Sequence, residues 1–175
     1  SYLFAVTPRA NGNVSMKPTI HGLTFHIGPG EPWSSSLRLS ATQYFFQRWI
    51  GAQVVVADKA HEAEGIWFSR GVSRFIAART LTRAGFMKPT ELREEVENEE
   101  QAALASRVAG KSNSDLAAMV TPESRSVLAA RGFLYAAHVD AFVRDKSKGA
   151  RGIEHVLRKL LSVKADGRFL TKAQW

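Results

Sequence analysis

Three side chains in the segment QYFFQRWIG, residues 43–51, have a spacing that would suit metal chemistry. Gln43 and Gln47 lie four positions apart and share one face of a predicted helix, and Tyr44 directly follows the first of them. Two histidines at this spacing bind zinc, and a glutamate in the second position activates the zinc-bound water. A neutral amide oxygen competes badly with water for zinc. The segment therefore has the spacing of a zinc site without the ligands for one.

The other residues that can carry chemistry form no recognised catalytic set. His61, Glu62 and Glu64 are close together in HEAEG, but no second histidine is nearby, and we interpret them as a surface cluster. His138 is expected to face inward from a long helix, as a core or cleft-lining residue. The same predicted inward stripe contains Leu134, Tyr135 and Phe142. The chain has no cysteine, no phosphate-cradling glycine loop and no nucleophile elbow, so these kinds of site are excluded.

Hydrophobic periodicity predicts a small β portion followed by helices. Alternating apolar residues predict strands within residues 1–30, and a helical period predicts helices over 37–50, 66–84, 89–107, 121–145 and 152–162, with a short helix after 114. Gly132 falls inside the long helix, where glycine costs about 1 kcal/mol relative to alanine, and close helix packing would explain it. We expect a mainly α (α+β) fold, with a β-rich part over 1–36 and a helical part over 37–175.

Charge and composition limit the partners of this chain. Its 175 residues suit one domain, and the formal net charge of +8 is concentrated in residues 124–175, which hold 11 Lys and Arg against 4 Asp and Glu. These basic residues are spread along helices, so we expect a solvated face rather than a nucleic-acid site. No apolar run is long enough to span a membrane. The first residue is not Met, so we expect a part of a longer protein, with cytoplasmic and exported locations both open.

Three segments, in order, resemble the catalytic domain of the gluzincin metallopeptidases. The closest resemblance is to the glycyl aminopeptidase family, and aminopeptidase N is a more distant relative. ATQYFFQRWIG is similar to the HExxH helix of the family, and IWFSRGVSRFIAARTLTRAGFMKPTEL to its WxSEGxxxYYxxxLLxRAGLxSPEEF. LAARGFLYAAHVDAFVRDKSKGARGIEHVLRKLL is similar to its YxKGALxxxLLDxxLRxxxGGxxSLDDVLRxL. The resemblance implies a thermolysin-like helical subdomain over about 37–175.

The family positions that perform the chemistry are all substituted in this sequence. The two zinc-binding histidines of the family fall on Gln43 and Gln47, and the glutamate base falls on Tyr44. The third zinc ligand, a glutamate, falls on Arg70, and the tyrosine that stabilises the tetrahedral intermediate falls on Ala129. The resemblance therefore implies an aminopeptidase-like pseudoenzyme with a degenerate HExxH motif, no zinc and no catalytic residue.

The physical chemistry of the substitutions agrees with a lost metal site. Arg70 is a permanent cation without a lone pair, at the position from which a ligand would hold a divalent cation. Tyr44 is a phenol with a reference pKa of about 10, so it is protonated at neutral pH and is no base. We expect the guanidinium of Arg70 to take the place of the zinc and to hydrogen-bond Gln43, Gln47 or both, which would keep two helices docked.

Three functions follow from the sequence. The first is a non-catalytic domain that binds a peptide or protein in the ancestral cleft. In the simplest form of this hypothesis, the domain has only an architectural role and supports neighbouring domains. The cleft candidates are Gln43, Tyr44, Gln47, Arg70 and His138. The alternative is a hydrolase or peptidase that acts through an unrecognised site without zinc. A weaker alternative is the binding of an anionic polymer through the basic C-terminal region.

Overall fold

Three strands form the N-terminal sheet in the computed structural model, which describes residues 3–8, 15–19, 22–29, 32–54, 56 and 62–163. They are β1 (Leu3–Pro8), β2 (Ser15–Thr19) and β3 (Gly22–Ile27). β3 is central, parallel to β1 and antiparallel to β2, so that Phe25 lies opposite Val6 on one side and Met16 on the other. Leu23 and Phe25 are buried, as the alternating pattern of this strand predicts.

Six α-helices follow within the described residues. They are α1 (Ser35–Phe46), α2 (Ser73–Arg83), α3 (Pro89–Ala105), α4 (Asn113–Met119), α5 (Pro122–Lys146) and α6 (Ile153–Val163). A 3₁₀ turn (Glu62–Gly65) and a π-helical segment (Trp67–Val72) precede α2. The side-chain oxygens of Ser34, Ser112 and Thr121 cap α1, α4 and α5 by accepting backbone N–H groups. The structure confirms a mainly helical α+β fold with a small N-terminal sheet.

The main core lies where α1, the π-helical segment, α2, α5 and α6 meet. Phe68, Val72 and Phe133 have no exposed surface, and the rings of Phe75 and Phe133 meet edge to face with centroids 5.5 Å apart. A second apolar cluster lies under the 3₁₀ turn, α4 and the first half of α5, and a third joins α1 to the sheet. None of the described helices combines the length and apolar character that a membrane span requires.

Two predicted helices differ from the observed elements. The helix predicted over 37–50 begins at Ser35 and ends at Phe46, and a turn occupies residues 47–49. The helix predicted over 66–84 is divided, because its first two turns take the wider π-helical geometry. Hydrophobic periodicity does not distinguish the two helix types over so short a span. The predicted boundary at 36/37 stays a prediction. The sequence LTKAQW, residues 170–175, also predicts the start of a helix, and it lies outside the described residues.

The apolar stripe predicted to face inward from α5 faces outward. His138 is exposed, Tyr135 and Phe142 are 41% and 56% exposed, and Leu134 is only partly buried. The buried face of α5 instead carries small residues among larger ones: Val127, Leu128, Ala130, Gly132, Phe133 and Ala136. Apolar residues occur all round this helix, so periodicity alone did not show that the face with glycine and alanine is the one that packs.

Candidate functional site

Helix α1 and the π-helical segment carry positions 43, 47 and 70, which the sequence resemblance aligns with the zinc ligands of the gluzincins. α1 is held from two sides, since Leu39 is buried in the main core while Ala41 is buried against the sheet. Gln43 and Gln47 are both half-buried, and Gln47, the residue directly after the helix, still has helical backbone angles. The i, i+4 relation between the two glutamines on one helix face is therefore present.

Gln43 joins α1 to the π-helical segment by a direct hydrogen bond. Its side-chain amide nitrogen donates to the backbone carbonyl of Arg70 at 3.1 Å. The hydroxyl of Ser73 donates to the same carbonyl at 3.0 Å and to that of Ser69 at 2.5 Å. The backbone N–H of Ser73 also donates to the Arg70 carbonyl, so this oxygen accepts from both α1 and the start of α2. This bond places residues 43 and 70 next to each other.

The expected guanidinium bridge between Arg70 and the glutamines is wrong. Arg70 is exposed, and within the described residues no hydrogen bond joins its side chain to Gln43 or Gln47. The contact uses the main chain of Arg70 instead. Burying the Arg70 guanidinium would cost its hydration, so the side chain stays in solvent. Its peptide carbonyl, between the two helical segments, accepts the hydrogen bond from Gln43 instead. The helices are thus joined at the predicted place by a different group.

Tyr44 and Ala129 both serve as packing residues. Tyr44 is half-buried and packs with Ala41 against Leu23 and Phe25 of the sheet, on another face of α1 from the glutamines. Ala129 packs against the second apolar cluster. Among the described residues no hydrogen bond joins the Tyr44 side chain to Gln43, and the alanine side chain has no polar atom.

Two glycines bring α5 against the π-helical segment. A Cβ on Gly132 would overlap the carbonyl group of Trp67, and a Cβ on Gly71 would overlap the carbonyl oxygen of Ala129 and lie 2.7 Å from the Gly132 Cα. The prediction that Gly132 marks close helix packing is confirmed. The crossing fixes the position of residue 129 relative to residues 70 and 71, and so holds together the elements that carry the family positions.

Charged contacts fix α3 against α1 and α2. The Ser35 hydroxyl, in the first turn of α1, donates to Glu91 Oε1 at 2.5 Å. The Lys88 backbone N–H and this hydroxyl lower the pKa of the Glu91 carboxyl, because both stabilise its charged form. Arg74 of α2 pairs with Glu95 and with Glu99, at 2.8 Å for the latter. Burial raises the pKa of Glu99 despite this ion pair.

The residues at the family positions do not fit a zinc ion. The amide nitrogen of Gln43 is engaged as a donor to a carbonyl, and the third position holds a cation. Within the described residues no group of three or more His, Cys, Asp or Glu could hold a metal. His26 is half-buried on β3, and His155 accepts the N–H of Gly152 at Nδ1. His21 and His61 lie outside the described residues.

The structure contains two clefts that the sequence did not predict. The first, which we name the sheet–helix groove, has a volume of 540 Å³ and is lined by Val6, Phe25, Ile27, Trp33, Ala41, Thr42 and Phe45. The second, which we name the α5 cleft, has a volume of 440 Å³ and is lined by Glu64, Trp67, Asn113, Ser114, Leu128, Arg131, Gly132 and Tyr135. Neither is lined by Gln43, Tyr44, Gln47, Arg70 or His138, so a binding role for those five stays a prediction.

A weak sequence signal for the α5 cleft was present. Glu64 and Trp67 are three positions apart, and Arg131 and Tyr135 are four apart, so each pair occupies one side of a helical turn. These pairs look like ordinary surface residues until the tertiary fold brings their two segments together.

Comparison with known proteins shows a similar fold and no sequence match. No protein-family model and no curated protein matches this sequence. The fold is similar to the crystal structure of an aminopeptidase N family protein from Idiomarina loihiensis, with a TM-score of 0.63 and 13% sequence identity. The match covers 96% of this chain and 34% of that chain, so the present chain corresponds to about a third of that protein. At this identity the likeness shows the fold alone.

Proposed function

We propose that this chain is a peptidase-like domain that does not hydrolyse peptides and that binds an extended peptide segment of a partner protein. The observation that carries the proposal is the Gln43–Arg70 contact. It supports the equivalence of α1 and the π-helical segment to the two zinc-holding elements of the aminopeptidase fold, while an amide and a main-chain carbonyl occupy the interface. Without a metal there is no activated water, and without a carboxylate at position 44 there is no base to deprotonate it.

The sheet–helix groove supports the binding part of the proposal. Val6 and Trp33 at its rim are 67% and 52% exposed, while Phe25 in its floor is 4% exposed. Trp33 is oriented by an edge-to-face contact with Phe25, at 6.0 Å between centroids, and its carbonyl accepts from Arg38 at 2.8 Å. Exposed large apolar residues around a preformed groove are typical of a peptide site.

The sheet edge beside the groove favours an extended ligand. β1 lies at one edge of the described sheet, and Val6 on this strand also lines the groove. β2, at the other edge, carries Pro18, which has no backbone N–H, whereas the first five residues of β1 contain no proline. An added strand obtains affinity from main-chain hydrogen bonds and specificity from alternate side chains placed in pockets. β1 is therefore the edge at which we expect a peptide to pair.

The binding proposal is tested by selecting peptides and then changing the groove. A library of random decapeptides is selected against the protein, and the affinity of the enriched peptides is measured by fluorescence anisotropy. We expect Trp33→Ala to weaken binding about tenfold, because tryptophan side chains that contact a ligand often carry a large share of the binding free energy. Phe86→Ala is the matched control, since Phe86 is 63% exposed and does not line the groove.

Two results would contradict the proposed function. Enriched peptides that bind Trp33→Ala and wild type equally would remove the groove from the account. Cleavage of those peptides by the purified protein with added zinc, detected by mass spectrometry, would remove the claim that the domain is not catalytic.

A further inference from the structure

The α5 cleft is a second concave site, separate from the sheet–helix groove. It lies between the 3₁₀ turn and π-helical segment on one side and α5 on the other, with the first residues of α4 along its edge. The cleft and the groove share no lining residue. Its volume of 440 Å³ falls within the range of roughly 300–1,000 Å³ that is usual for small-molecule sites.

Two aromatic rings form a corner of the α5 cleft. Trp67 and Tyr135 meet edge to face, with centroids 5.7 Å apart and an angle of 84° between the ring planes. Gly132 makes this corner possible, because any larger residue there would push the backbone of Trp67 away from α5. Perpendicular rings offer two negative π faces to one small volume, which is the arrangement that attracts a poorly hydrated cation.

Glu64 adds negative charge on the same wall as Trp67. It precedes the tryptophan by three residues, is half-buried, and is flanked in the chain by the buried Ala63 and Gly65. A carboxylate in a partly desolvated wall attracts a cation more strongly than one in open water does, because the local dielectric is lower.

Arg131 places positive charge on the opposite wall. Its guanidinium donates to the carbonyl oxygens of Ala109 at 2.6 Å and Lys111 at 2.9 Å, and to Asn113 Oδ1 at 2.7 Å. All three acceptors are neutral, so these bonds hold the side chain in place without neutralising its charge. Five N–H groups belong to a guanidinium, and these bonds engage three of them. The remaining donors suit a carboxylate or phosphate oxygen.

From this arrangement we propose that the α5 cleft binds a small zwitterion whose cationic end is an ammonium group. The ammonium lies in the corner of Trp67 and Tyr135 and is attracted by Glu64, and the anionic end faces Arg131. A methylated ammonium fits best, because it is poorly hydrated and is held by aromatic faces rather than by N–H donors. The anionic end is a carboxylate or a phosphate, since arginine binds both.

Titration of the whole protein with four compounds tests this proposal. Glycine betaine and phosphocholine carry both charges, tetramethylammonium carries only the cation, and acetate carries only the anion. With isothermal titration calorimetry, and with the Trp67 indole N–H followed by NMR, we expect at least one zwitterion to bind with a dissociation constant of about 1 mM or lower. We expect it to bind at least about fivefold more tightly than tetramethylammonium, because only the zwitterion also engages Arg131.

Two substitutions assign the site within the molecule. Tyr135→Ala removes one face of the aromatic corner, and Glu64→Gln removes the negative charge at nearly constant shape. Each is expected to weaken binding about three- to tenfold. Phe142→Ala is the matched control, since Phe142 is an exposed aromatic two turns further along α5 and does not line the cleft. Circular dichroism establishes that each variant is folded.

Three outcomes would overturn the zwitterion site. The first is that neither zwitterion binds at a concentration of about 10 mM. The second is that tetramethylammonium and the zwitterions bind with equal affinity. The third is that Tyr135→Ala and Glu64→Gln both leave the affinity for the zwitterion unchanged. Peptide binding at the sheet–helix groove is measured with Trp33→Ala, which leaves the α5 cleft unchanged, so the two proposals succeed or fail independently.

Discussion

Asp140 shows at the scale of one residue how the C-terminal part of the domain is held. Its side chain is 7% exposed, and its Oδ2 lies 2.7 Å from Arg144 Nε and 3.3 Å from Arg79 Nε. Its Oδ1 accepts the backbone N–H of Ile153 at 3.0 Å, at the start of α6. One buried carboxylate thus joins α2, α5 and α6, and it is compensated by two cations.

Asp140→Asn is expected to destabilise the domain by roughly 2–4 kcal/mol, because Arg79 loses this anion and Arg144 keeps only its longer pair with Glu154, at 3.8 Å. For a chain of this size the melting temperature should fall by about 5–12 °C, which differential scanning calorimetry measures. Asp145→Asn is the control, since Asp145 is exposed on the same helix. Equal melting temperatures for the two variants would show that the Asp140 network contributes nothing to stability.

The contact between residues 43 and 70 shows how much residue types alone predict about a site. The sequence alone predicted that positions 43 and 70 are neighbours, and the structure places the Gln43 amide on the Arg70 carbonyl. It predicted the wrong group of Arg70, because a residue type says nothing about whether the main chain or the side chain faces a neighbour. The π-helical geometry decides that here.

At the scale of elements, the crossing of α5 over the π-helical segment determines the arrangement of the candidate site. Gly71 and Gly132 let the two backbones approach until no Cβ fits between them. The same approach forms the floor of the α5 cleft and fixes Ala129 beside residue 71. Both the family positions and the proposed zwitterion site therefore depend on this contact.

Gly132→Ala is expected to destabilise the domain, although alanine favours a helix by about 1 kcal/mol over glycine. The overlap with the Trp67 carbonyl can be relieved only by separating the two segments. Overpacking typically costs about 1–3 kcal/mol, and we expect the loss of stability to be at least this large. Urea unfolding monitored by circular dichroism measures the change. Gly110→Ala is the matched control, because a Cβ there meets nothing within 4 Å. A Gly132→Ala protein as stable as the Gly110→Ala protein would contradict the close crossing.

The starts of the helices were predicted better than the faces on which they pack. Caps such as Ser112 and Thr121 are local signals, and the helices that they begin were predicted within one or two residues. The outward face of α5 was predicted wrongly, since its apolar residues surround the helix and only tertiary contacts select the packed side. The division of the second helix was missed because a π-helical segment has no distinct periodicity over six residues.

At the scale of the whole molecule, the fold is similar to about a third of an aminopeptidase N family protein. The helical class and the small N-terminal sheet were predictable because apolar periodicity and turn residues extend through most of the chain. The two clefts were not, since each is formed by segments distant in sequence, such as Glu64 and Arg131. Long-range pairing is what a single sequence specifies least directly.

The central proposal is that Gln43, Gln47 and Arg70 occupy the positions of three zinc ligands in a domain that has lost its metal. If the positions correspond, restoring the ligand types should restore zinc binding without any other change. The variant Gln43→His, Gln47→His, Arg70→Glu supplies two imidazoles at i, i+4 and a carboxylate from the neighbouring segment. The control is the double variant Gln43→His, Gln47→His, which keeps Arg70.

Zinc titration by calorimetry of these three proteins tests the account most directly. We predict no binding by the wild type at micromolar zinc, binding by the triple variant at micromolar affinity or tighter, and at least about tenfold weaker binding by the double variant, which lacks one ligand and retains a cation. Micromolar zinc binding by the wild type would contradict the account. So would a folded triple variant that binds zinc no better than the wild type.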